Sequence, residues 1–90
     1  SFEMRYLVWE CDWSDDTNQL DNWWVVGGSF SNLEDARRFV TNHVGDGLGG
    51  EWLNETTYVC FCRDADRMGT WAIEPTSVPT RNVNQDLWSY

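Results

Sequence analysis

The stretch Trp23-Trp24-Val25-Val26-Gly27-Gly28-Ser29-Phe30-Ser31-Asn32-Leu33-Glu34-Asp35-Ala36-Arg37-Arg38-Phe39-Val40-Thr41-Asn42-His43-Val44-Gly45 decides the fold, because a strand-like run passes into a helical one within it. Trp23 to Val26 is aromatic and β-branched, which favours a strand, and the Gly27-Gly28 pair lets the backbone bend or bulge out of it. The apolar period then changes. Ser31 and Glu34 spell an S-x-x-E capping box, with Ser31 as N-cap, so the sequence predicts a helix starting at about Asn32. Leu33, Ala36, Phe39, Val40 and Val44 fall on one side of a 3.6-residue spiral and Asp35, Arg38 and Asn42 on the other, as a helix lying on a sheet requires. Gly45 is the natural stop.

Toward the N-terminus, Arg5 to Trp13 alternates as a strand, with Tyr6 and Val8 on one face and Leu7, Trp9 and Cys11 on the other. The turn formers from Ser14 to Gln19 return it as a hairpin into Trp23. Toward the C-terminus, Gly45 to Gly50 is a connector, and Glu51 to Arg63 reads as one long strand apolar on both faces. Asp64 to Gly69 has the polarity of a hairpin loop, Thr70 to Glu74 forms a fourth strand, and Pro75 ends it. Thr76 to Tyr90 lacks periodicity, and its Leu87, Trp88 and Tyr90 should fold back on the body or dock on a partner. The expected fold is α+β: a ββαββ chain making an antiparallel four-stranded sheet with one helix packed on one face and an irregular C-terminal tail over 75–90. Met4 reads as a natural start, so Ser1 to Glu3 are set aside. One helix shields one face, so the other needs the tail, a second copy or a ligand, and self-association is favoured.

Ninety residues make a single domain, 1–90, with a modest core. Seven tryptophans could supply most of that core. The formal charge is −9 and all six cations are arginine. Such a chain repels phosphate backbones, which disfavours direct nucleic-acid binding and favours a basic protein surface as partner. No apolar run reaches the ~18 residues of a spanning helix, and no basic-then-apolar leader opens the chain, so no membrane contact is expected. Three cysteines, an odd count, fit a reducing compartment and a cytoplasmic location, the host's cytoplasm if the chain is phage-encoded.

Four local patterns carry chemistry elsewhere and are weak here. Cys11, Cys60, Cys62 and His43 would make a Cys3His zinc set, but Cys60 and Cys62 sit within a strand rather than a ligand turn, so buried packing is the expected role and no metal or cofactor is expected. Gly45-x-Gly47-x-x-Gly50 matches the dinucleotide string, yet it follows a helix and precedes a strand, the reverse of what a pyrophosphate needs. Asp12, Ser14, Asp16 and Asn18 resemble the start of a calcium loop, with Thr17 where glycine is required and Trp23 where the closing Glu belongs. Asn54-Glu55-Thr56 is a glycosylation sequon placed inside a strand. With one histidine and no local signature pairing it to a nucleophile, no catalytic residue is assigned and the chain is not expected to be an enzyme.

The surface remains. Trp9, Glu10, Trp13, Asp15, Asp16, Asp21, Trp23 and Trp24, with Trp88 of the tail, interleave rigid aromatic area with negative charge, a combination suited to arginine- and lysine-rich targets. The expectation is a small acidic non-enzymatic protein-interaction domain that occupies a basic site on a nucleic-acid-handling or defence protein. In size and charge it is similar to acidic inhibitors encoded by phages and mobile elements, some anti-restriction and anti-CRISPR proteins among them. The alternative is a ligand-binding module whose sheet tryptophans stack on a sugar or other flat ligand.

Overall fold

The computed structural model describes residues 1–14, 19–45, 48–62 and 67–80. The elements run β1 (Phe2–Ser14), β2 (Gln19–Phe30), α1 (Leu33–Val44), β3 (Leu48–Asn54), β4 (Thr57–Cys62) and β5 (Arg67–Pro79). The strands form one antiparallel sheet in the order β2-β1-β5-β4-β3, with the helix on one face. The α+β class and the single face-packed helix match the sequence expectation. The strand count does not: among the described residues the sheet has five strands in the order ββαβββ along the chain.

The extra strand comes from the stretch read as continuous from Glu51 to Arg63. Asn54 Oδ1 accepts from the Thr56 amide at 2.9 Å and from Thr56 Oγ1 at 3.1 Å, a side-chain turn that folds the chain back into the Asn54–Thr57 pair. The sequon therefore sits at a turn instead of mid-strand. A second correction concerns Pro75, which does not end β5. The strand continues to Pro79, pairing with β1 through Phe2–Pro79, so residues 75–79 belong to the sheet and so do Phe2 and Glu3. β4 lies beside β5 only as far as Ala72, so both prolines fall where that side of β5 has no ladder to supply. Tail residues 81–90 lie outside the described residues.

The helix carries the expected apolar face. Ala36 and Val40 are buried, and Leu33, Phe39 and Val44 pack against a core of Val8, Cys60, Trp71 and Ile73. Its start is one residue later than the capping box predicts: Asn32, not Ser31, is the N-cap, accepting from the Asp35 amide at 2.8 Å and donating to Asp35 Oδ2 at 3.2 Å. Gly45 ends it as expected, at φ 68°, with its amide on the Thr41 carbonyl. The glycine pair does not end β2, which runs through it to Phe30. A Cβ on Gly27 would fall 2.6 Å from the Phe39 ring, so the missing side chain is what lets the helix settle on this end of β2.

Candidate functional site

Register sorts the tryptophans. Tyr6, Val8 and Glu10 of β1 face the helix, and their partners Ile73 and Trp71 of β5 join them there; Leu7, Trp9 and Cys11 face the other way. On β2, Trp24 pairs with Glu10 and so shares the helix side, whereas Val25 pairs with Trp9 and Trp23 with Cys11 on the open side. The sheet therefore divides the expected partner-binding set. Trp9 and Trp23 lie on one face, Glu10 and Trp24 on the other. The side chains of Trp13 and Asp21, and Asp15, Asp16 and Trp88 altogether, lie outside the described residues.

Glu10 has an internal role. Its Oε1 accepts from Trp71 Nε1 at 2.9 Å and lies 3.1 Å from His43 Nε2 near the end of the helix. The His43 ring stacks on Phe39, 5.4 Å between centroids, and Phe39 contacts Phe30 of β2 at 5.3 Å. One carboxylate thus joins β1, β5 and α1. His43 is held in this clasp. Cys60 lies in the core on the helix side and Cys11 is buried on the open side, so the sheet splits the Cys-His set considered for zinc. Burial pushes the Cys60 thiol above its ordinary value, away from the thiolate that a nucleophile or ligand needs. Burial likewise raises the Tyr58 phenol, with a smaller push from Cys60. The Cys62 side chain, Gly47 and the calcium-like loop's Asp12, Ser14, Asp16 and Asn18 side chains are outside the described residues.

The open side is apolar with acids set into it. Trp9 is half-buried and its Nε1 donates to Glu74 Oε1 of β5 at 3.2 Å. Cys11 and Thr70 are buried there, yet Val25 is 47% exposed and Trp23 40%. Glu74 is the residue sequence reasoning missed. Its signal is simple alternation: Trp71 and Ile73 point to the core, so Ala72 and Glu74 cannot.

In the N-terminal half of β2, the consecutive residues Asn22, Trp23, Trp24 and Val25 are all exposed. Neighbouring strand residues point to opposite faces, so four exposed in a row mean that neither face is fully covered here. The helix packs over β2 at Val26 and Phe30, and among the described residues it does not extend over this half. Comparison with known proteins finds no family model, no curated relative and no solved structure that matches the chain.

Proposed function

We propose that this chain is a small acidic protein-interaction domain, without a reaction of its own, that occupies a basic site on a nucleic-acid-handling or defence protein. A phage- or mobile-element-encoded inhibitor working in the host cytoplasm is the form this reading takes. The observation that carries it is the exposed half of β2, where Trp23, Trp24 and Val25, each 39–47% exposed, present rigid apolar area on a chain of charge −9. Trp9 and Glu74 extend that area across the open face. Glu10 is left out of the contact set because its carboxylate ties the helix to the sheet. Among the described residues no helix is long and apolar enough to cross a membrane.

A titration against a panel of arginine-rich proteins at low and high salt tests the reading. Binding should weaken steeply with salt and fall about tenfold or more in Trp23→Ala, the effect of losing an aromatic anchor. Affinity indifferent to both would remove it. The second reading, a flat ligand stacked on the open face, is favoured by Trp9 and Trp23 sharing that face beside the Glu74 carboxylate. Binding of a neutral sugar, unchanged by salt and lost in Trp23→Ala, would select it.

A further inference from the structure

β2 is an outer strand of the sheet, and among the described residues no strand lies beyond it. Its residues from Asn22 to Phe30 carry no charge, and Asn22 to Val25 are exposed on both sides of the strand. An edge of this kind, with no partner strand among the described residues, presents backbone amides and carbonyls flanked by apolar side chains, the template for adding a strand. We infer that the Asn22–Val26 edge of β2 accepts an extended segment of the partner protein as a further strand, and that this segment is apolar in its middle and arginine- or lysine-bearing at its ends. The inference rests on the interaction-domain reading above and specifies how contact is made.

The middle of the segment is set by what it meets. A paired strand places successive side chains on opposite faces, so those on the open side would lie against Trp23 and Val25 and those on the helix side against Trp24. β-branched residues fit both rows. The ends are set by charge. In the sequence five acids and no basic residue run from Glu10 to Asp21 ahead of the edge, and beyond Ser29, which holds the Arg5 guanidinium, come Glu34 and Asp35 in the first turn of the helix. Asp35 already pairs with Arg38 at 3.4 Å, while Glu34 is exposed. The same acids disfavour a second copy as occupant. Pairing two copies would bring together chains of charge −9 each.

The probe is a synthetic peptide, Arg-Arg-Val-Thr-Val-Thr-Val-Arg-Arg, and a matched peptide N-methylated at alternate residues, which keeps charge and side chains but cannot complete the ladder. The first should bind, and the second should bind at least about tenfold more weakly, as expected when main-chain hydrogen bonds supply affinity. In an edge strand successive amides point alternately to the neighbour and to solvent, so of Trp24→Pro and Val25→Pro one should keep native thermal stability, and that variant should lose the peptide. Equal binding of the two peptides would overturn the strand-pairing inference while leaving the basic-partner reading in place. Failure of both to bind at millimolar concentration would overturn the inference, and the salt titration above would then decide the reading on its own. A concentration-dependent dimer in sedimentation, abolished by the tolerated edge proline, would also overturn it by naming a second copy as occupant.

Discussion

The two outer strands of this sheet meet water in different ways. β3 has seven residues, its pairing with β4 shifts register between Leu48 and Glu51, and it carries Glu51 with Glu55 just beyond. Its Trp52 is held under the Arg37 guanidinium, 4.1 Å from the ring centroid, and against Tyr58 at 4.9 Å; Arg37 Nη1 also donates to the Glu55 carbonyl at 2.7 Å. Shortness, a bulge and charge are the usual means of blunting an edge. β2 has twelve residues and no charge between Asn22 and Phe30, and the helix covers only its far half. The difference lies in length and charge. β3 is short, bulged and charged although its Leu53 is 59% exposed, whereas β2 is long and presents an uncharged run with no strand beyond it among the described residues.

Trp71 couples the two halves, since its ring lies 6.2 Å from Tyr58 on the β3 side and its indole donates to Glu10 on the β2 side. Trp71→Ala should break the comparison at its root, costing about 3–5 kcal/mol through the cavity it leaves. Equilibrium denaturation reads this directly, and a loss below 1 kcal/mol would mean the halves are not joined through this ring. Arg37→Ala acts on β3 alone. It should cost about 1–2 kcal/mol and speed amide exchange across Glu51 to Asn54 while leaving β2 unchanged.

A smaller effect tests how the helix sits over β2. Asn32→Ala should lower stability by about 1 kcal/mol, the usual worth of an N-cap, and Ser31→Ala by a few tenths at most. The reverse order of melting temperatures would restore Ser31 as the cap. The smallest effect is alkaline. The folded protein holds the Cys60 thiol above its ordinary 9.0, so the unfolded chain gives up its proton first and stability falls as pH rises past about 9. Tyr58 acts in the same direction from its ordinary 10.0. Cys60→Ala should flatten the pH 8–10 part of the melting curve, and an unchanged slope would remove the thiol from it.

Much of this comparison was legible before the structure. Helical spacing placed Ala36, Val40 and Phe39 on the sheet, and alternation placed Val8 and Trp9 on opposite faces. The fifth strand was hidden because its turn has no glycine or proline; the Asn54 side chain makes it, and Asn54-Glu55-Thr56 reads equally well as strand. Pro75 misled because a proline stops a strand only where its amide is needed; the Ile73 amide still donates to the Thr56 carbonyl, and past it no described strand lies on the β4 side of β5. Two overlapping caps, Ser31 with Glu34 and Asn32 with Asp35, begin one residue apart, and the helix uses the second. Glu10 looked like a surface acid beside Trp9 until the register set it under His43. Which tryptophans stay exposed depended on where the helix runs out over β2, a tertiary fact that no local pattern contains.

Residue-resolved amide exchange with and without the arginine-flanked peptide tests the open-edge account most directly. The account predicts that alternate amides within Asn22–Val26, those pointing away from β1, exchange freely in the isolated protein and become protected on binding, while Glu51 to Leu53 of β3 do not change. Protection of β3 in place of β2, or outward β2 amides already protected without any partner, would contradict it.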